Sequence, residues 1–221
     1  VQVSTWGLDR PAVPRCGSSY RPNDMSGPNL VLIGGYPGTG KSSMGRSLAA
    51  RTGWALLDKD VLSGDLVSLL MEQLTGDCDD RYSREYFDDV RSFEYRSLID
   101  TGLAQIAAGN SAILVAPFLR EAPSQEWSDG LATLASVCDA RLHWVWMTAG
   151  YRAMHQRLAD RGLPRDRHKL HDWATYSIKV DQNLRPLASA GMTSIVVDND
   201  TGRSIDGIEG SLEFVLEQVA L

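Results

Sequence analysis

Asn29-Leu30-Val31-Leu32-Ile33-Gly34 is a continuous apolar run closed by glycine, the pattern of a strand covered on both faces of a parallel sheet. From Lys41 to Thr52 apolar residues return at helical spacing. Met44, Leu48 and Ala49 share one face, and Gly53 supplies the stop. A second short strand covers Trp54 to Leu57 and ends at Asp58. A helix follows from Val61 to Leu74, and Gly76 to Arg81 is polar and turn-like. Ser83 to Ala108 predicts a long helical stretch broken near Gly102, with Tyr86, Val90, Phe93 and Ile106 on its apolar face. Ser111–Ala116, Arg141–Met147 and Thr193–Val197 predict three more strands. Ser128–Val137, Gly150–Asp160 and Ile205–Ala220 predict three more helices. Strands alternating with helices make this an α/β chain: a doubly wound parallel five-stranded sheet with helices on both faces.

The first 28 residues carry four prolines among Gly, Ser and Asp and show no strand or helix period, so an irregular extension is expected there. Met25 is a candidate internal start. No linker divides residues 29–221, which read as one domain.

Composition narrows the partners. Forty-three per cent of the 221 residues are hydrophobic and 23% charged, which is globular usage. Twenty-two basic against 28 acidic residues give a net charge of −6, which argues against general nucleic-acid or anionic-membrane binding. Cys16, Cys78 and Cys138 form no CxxC pair, so neither a disulfide framework nor a structural zinc site is expected, and a reducing cytoplasm is. No apolar run approaches the roughly 20 residues of a membrane helix, and residues 1–28 contain no secretory signal.

The sharpest signal is Gly35-Tyr36-Pro37-Gly38-Thr39-Gly40-Lys41-Ser42, which fits GxxxxGK[ST] at every fixed position and stands between a buried strand and a helix. Gly35, Gly38 and Gly40 let the backbone curl so that N–H groups, with Pro37, Thr39 and Ser43 around them, face phosphate oxygens. The start of the helix adds its positive dipole end. Lys41 is expected on the β- and γ-phosphates and Ser42 on Mg²⁺. The loop implies a nucleoside triphosphate, with a lean to ATP, but not its fate. A GTPase would carry an NKxD-type motif after a late strand, where this chain has Asp198-Asn199-Asp200. A remodelling ATPase would end a strand in Asp-Glu, where this chain has Ala116-Pro117-Phe118. A small kinase remains.

Two features support that reading. Asp58-Lys59-Asp60 closes the second strand, at the sheet edge that lines the ligand crevice. Asp60, 19 residues after Lys41, can orient or deprotonate an acceptor hydroxyl, and Asp58 can hold a Mg²⁺-bound water. The plain alternative is that Asp60 caps the next helix. The second feature runs from Arg157 to Lys169. Arg157 and Arg161 share a helix face, and Arg165, Arg167 and Lys169 follow in a Gly/Pro-bearing loop, as in an arginine-bearing lid. Here the alternative is a solvated face with Asp160 and Asp166 as partners.

Together, GGYPGTGKSS, LLDKD, the stretch from Phe93 to Leu98, ILVAPFLRE and RLADRGLPRDRHKL resemble the small phosphate-loop kinases of the nucleoside-monophosphate-kinase-like fold. That group includes shikimate and gluconate kinases, chloramphenicol phosphotransferase, zeta toxins and the kinase domain of polynucleotide kinases. The resemblance covers about Leu30 to Asp198. It implies that Asp60 corresponds to the acid that contacts the acceptor hydroxyl. It also implies that Arg157 and Arg161 correspond to lid arginines, and that the segment from Asp198 lies near the adenine. The APF sequence replaces the third-strand ending of some members, so no member's acceptor pocket can be copied.

Asp60, Arg91, Glu94, Tyr95, Phe118 and Arg120 are the candidate acceptor contacts, although Tyr95 and Phe118 also suit plain core. Trp144 and Trp146 share a strand face and read as core. His168 and His171 lack further ligands for zinc. The function expected is transfer of the ATP γ-phosphate to a hydroxyl of a small molecule, a metabolite or an antibiotic. The alternatives are a polynucleotide 5′-hydroxyl kinase, a toxin-like nucleotide-sugar kinase and a non-catalytic nucleotide-dependent regulator. Neither a monomer nor a homodimer is favoured.

Overall fold

Strand and helix positions follow from which faces must be covered. The computed structural model describes residues 27–200 and 207–220. Met25, Cys16 and nearly all of the expected extension lie outside the described residues. In chain order the elements are β1 (Asn29–Gly34), α1 (Lys41–Thr52), β2 (Ala55–Asp58), α2 (Lys59–Thr75), a π-helical turn (Tyr86–Val90), α3 (Arg91–Ala107) and β3 (Ala112–Val115). Then come α4 (Gln125–Ser136), β4 (Arg141–Thr148), α5 (Tyr151–Arg161), a 3₁₀ turn (Pro164–Asp166), α6 (Arg167–His171), α7 (Trp173–Ile178), β5 (Met192–Asp198) and α8 (Gly207–Ala220).

The five strands form one parallel sheet in the order β2-β3-β1-β4-β5. β1 lies at its centre with every residue buried, which is why its sequence does not alternate. Leu30, Leu32, Leu114, Trp144 and Trp146 face a core shared with α3 and α4. Val31, Ile33, Val145 and Ile195 face a second core with α1 and α8. Trp144 and Trp146 pack edge to face within the first core, as their spacing predicts. Gly34 sits beneath them: a Cβ there would come within 2.6 Å of the Trp146 ring.

Three expectations need correction. The long helix does not break at Gly102. That glycine stays helical, and a Cβ on it would meet Leu114 at 2.8 Å, so it lets α3 lie close on β3. The irregularity falls instead at the π-helical turn, which precedes α3. Phe93 is exposed rather than on the apolar face, while Tyr86, Val90 and Ile106 are buried. The stretch after Gly162 is not all loop, since it contains the 3₁₀ turn, α6 and α7.

His143 on β4 is buried and lies 3.0 Å from Asn29 Oδ1 through Nε2. Burial, and secondarily Arg141, hold its pKa down to about 4. The unfolded chain takes up a proton near pH 6.5, whereas the folded one resists until about pH 4. Well above pH 6.5 the residue is neutral in both states and contributes no pH dependence. As pH falls from 6.5 towards 4, stability should drop by up to about 3 kcal/mol from this residue. Urea unfolding at several pH values should show that acid limb flattened in His143→Gln; an unchanged limb would assign it to other groups.

Among the described residues, no helix is long and apolar enough to cross a membrane.

Candidate active site

The chain leaves β1 through Gly35 (φ 133°), whose N–H donates to the Pro117 carbonyl at 3.1 Å. The loop then folds on itself: Thr39 donates to the Tyr36 carbonyl from both its N–H and its Oγ1. Gly38 (φ 84°) and Gly40 (φ 98°) adopt left-handed conformations that favour glycine. Side chains would not fit either. A Cβ on Gly38 would approach the Met154 carbonyl to 2.8 Å, and one on Gly40 would strike Asn199. No side chain caps α1, so its first N–H groups are available to an anion.

Lys41 begins α1 and is buried, with Nζ donating to the Tyr36 carbonyl at 2.8 Å. Burial, reinforced by Arg161, lowers its pKa to about 7 despite Asp60 and Asp58 nearby. A polyphosphate here would restore the full charge of a lysine that burial has weakened. Ser42 Oγ donates to Asp58 Oδ2 at 2.9 Å. A hydroxyl and a carboxylate brought together in this way are hard oxygen donors that suit Mg²⁺, held directly or through water.

Asp58 also caps α2, its Oδ1 accepting from the Asp60 N–H at 3.0 Å. The cap is therefore Asp58 and not Asp60, and the Asp60 carboxylate is left for other work. Asp60 Oδ1 meets Lys59 Nζ at 3.0 Å and Oδ2 meets Arg165 Nη2 at 2.7 Å. Burial pushes the Asp60 pKa up, but Lys59 and Arg165 more than reverse this and hold it below the usual carboxylate range. Lys59 is itself buried against Glu94, at 2.9 Å, and Glu94 accepts from Tyr86 Oη at 2.6 Å. A polar chain thus runs from the π-helical turn to the segment after α5.

That segment differs in detail from the expected lid. Arg157 donates to the Gly38 carbonyl at 3.2 Å and to the Asn199 carbonyl at 2.7 Å, so it braces the phosphate loop. Arg161 donates to Asp166 at 2.6 Å, and Lys169 donates to the same carboxylate at 2.9 Å. Asp166 is wholly buried, so half of the plain reading, Asp166 as an arginine partner, describes this state. Arg165 is the arginine that reaches Asp60. Tyr82 Oη donates to the Arg165 carbonyl and joins this segment to the loop after α2.

The other expected acceptor contacts scatter. Phe118 (φ 51°) is fully buried among Tyr95, Trp127 and Trp144, where it offers no surface to an acceptor. Tyr95 is buried too, its ring covered by the Arg91 guanidinium at 3.9 Å. Arg91 is engaged twice by Glu121, at 2.8 and 2.9 Å. Glu94 serves Lys59 and Tyr86 from a buried position. Arg120 lies over the Phe87 ring, 4.2 Å from its centroid. Ser43 is exposed on α1, and Asp198 is exposed at the end of β5. Its neighbour Asn199 is the residue that reaches the phosphate loop, donating to the Thr39 carbonyl at 2.9 Å. Nothing in Asp198-Asn199-Asp200 distinguishes that asparagine beforehand. The Lys59–Glu94 pair, 35 residues apart, is likewise invisible to local pattern.

The model of a protein family described as an AAA domain matches residues 30–178, well over half of the chain and including the phosphate loop, α2, α3 and the arginine-bearing segment. The chain belongs to this family. Family membership is joined by a likeness of sequence to the shikimate kinase of Moorella thermoacetica, 31% identical over 102 residues, or 45% of this chain and 56% of that one. This chain spans about half the length of the curated relatives it matches. The fold is that of P-loop kinases. A candidate kinase from Chloroflexus aurantiacus superposes with a TM-score of 0.61 at 20% identity, covering 87% of this chain and 98% of that one. A sugar kinase from Janibacter sp. HTCC2649 gives 0.58 at 17% identity, covering 87% and 96%.

Proposed function

We propose that this protein is an ATP-dependent phosphotransferase that moves the γ-phosphate to a hydroxyl of a small molecule. The observation that carries the reading is the placement of Asp60. It is a carboxylate kept ionised by Lys59 and Arg165, at the same sheet edge as a phosphate loop with Lys41 and Ser42 in position. The names borne by the relatives, shikimate kinase and sugar kinase, support a small hydroxylated acceptor.

In this reading the loop amides and Lys41 hold the β- and γ-phosphates, and Arg157 keeps the loop's shape. Ser42 and Asp58 would hold Mg²⁺, which supplies charge neutralisation at the phosphates when bound. Asp60 accepts a hydrogen bond from the acceptor hydroxyl and aims its oxygen in line. A carboxylate held below its usual pKa is a weak base, so Asp60 chiefly orients the hydroxyl and takes its proton late. That suits a loose phosphoryl-transfer transition state, in which positioning and charge do most of the work. Arg165 must release Asp60 for this to happen, and it is then free to meet the transferring group. The three cysteines, none in a CxxC pair, favour a cytoplasmic setting.

A panel of metabolites, sugars, antibiotics and 5′-hydroxyl oligonucleotides, incubated with ATP and Mg²⁺ and read by mass spectrometry, should show one small molecule gaining a phosphoryl group. Nucleotide binding with slow hydrolysis and no phosphorylated product would make the protein a regulator. Phosphorylation confined to the oligonucleotides would make it a polynucleotide kinase.

A further inference from the structure

The outward side of α2 is unusual for a surface. Leu66 and Leu69 are 72% and 63% exposed, and Leu62, Leu70 and Leu74 are each more than 40% exposed. Val67 and Met71 occupy the opposite side and pack on Tyr86 and Val90. On α3, which lies against α2, Phe93 is exposed as well, with the Arg96 guanidinium over its ring. The described residues leave large parts of these side chains uncovered. With exposures of this size, α2 and Phe93 together present on the order of 600 Å² of apolar side chain, at the upper end of what monomers show.

Leu62, Leu66, Leu69 and Gln73 are spaced four, three and four apart, the alternation that lines up a seam between two like helices. The flanks of the seam differ. Asp65 and Glu72, both exposed, stand on one side, and α2 has no Lys or Arg after Lys59. Ser63 and Leu70 stand on the other side, where α3 and Arg96 lie.

We propose that this face pairs with the same face of a second copy of the chain, the two α2 helices running parallel about a two-fold axis. Area supports a second copy: two such patches would bury on the order of 1,200 Å², at the lower edge of stable protein–protein interfaces. Charge selects the direction. In an antiparallel pair the acidic flanks meet each other, whereas in a parallel pair each acidic flank lies over the partner's Leu70 and Arg96 side. Gln73 then stands beside its own counterpart, a polar residue in an apolar seam that fixes the register. α2 also carries Asp60, so the contact braces the helix on which the candidate acceptor residue stands. The inference holds whatever the acceptor is.

Sedimentation velocity on the full chain between 1 and 100 µM tests it. The expected result is a species of twice the 24.2 kDa chain mass that dissociates on dilution. The double variant Leu66→Glu/Leu69→Glu should be monomeric throughout, with its circular dichroism unchanged. Ile178→Glu, at an exposed apolar residue away from the seam, should remain dimeric. In a Cys16→Ser/Cys78→Ser background, Gln73→Cys should form an intermolecular disulfide on mild oxidation. A wild-type chain that is monomeric at every concentration overturns the proposal, and so does a dimer that survives the double leucine substitution. A dimer that fails to cross-link through Gln73→Cys overturns the parallel arrangement.

Discussion

Lys41→Ala should reduce phosphoryl transfer by about a thousandfold or more, since in the proposed mechanism Lys41 is the cation that meets charge developing on the transferred group. The expectation comes from position and environment together. Lys41 is the first residue of α1, where free backbone N–H groups already favour an anion. Its ammonium is buried, and among the described residues its hydrogen-bond partner is the neutral Tyr36 carbonyl. Burial has brought its pKa down to about 7, so the site is short of negative charge until a polyphosphate arrives. Binding should therefore take up a proton above about pH 7 in the wild type and none in the variant, which calorimetry in buffers of different ionisation enthalpy can read. Removing a buried charge held by one carbonyl should leave the fold intact. The variant should melt near the wild-type temperature yet lose the shift that ATP induces. A fully active Lys41→Ala enzyme would remove the phosphate loop from the mechanism.

The second large effect is expected at Asp60. Asp60→Asn should lower kcat by roughly 10²- to 10⁴-fold while ATP affinity changes little. The substitution is informative because Asp58, and not Asp60, caps α2. Asparagine at 60 keeps the size of the side chain and leaves the helix start untouched, so the loss can be assigned to the carboxylate. Lys59 retains Glu94 as its partner, and Arg165, half released, can still reach solvent. Steady-state kinetics on the acceptor found in the panel, set beside ATP titrations, separates the two parameters. Unchanged turnover would reduce Asp60 to an ion-pair partner of the segment after α5.

What local pattern revealed and what it hid divide along a physical line. β1 and α1 are legible to the residue because their signals are adjacent in sequence: an unbroken apolar run, a glycine-bearing loop, a helix, then Gly53 as the stop. Asp58 and Asp60 are legible because they stand where a strand gives way to a helix. The partners of these residues are another matter. Lys59 with Glu94, Arg165 with Asp60 and Asn199 with the phosphate loop are set by how α3, the post-α5 segment and β5 come together, and no local period encodes that. Phe118 marks the same boundary. Its place after β3 suggests the crevice, but its positive φ turns the ring inward to join Trp127 and Trp144. The π-helical turn is hidden because its residues read as ordinary helix, and one extra backbone unit leaves no compositional trace.

The Asp58 carboxyl does two things with two oxygens. One holds Ser42 at the foot of the phosphate loop, and the other holds the first turn of the helix that carries Asp60. The foot of the phosphate loop and the start of α2 are therefore joined through a single planar group of three atoms. A displacement of either attachment must therefore break one of these two bonds or carry the other with it.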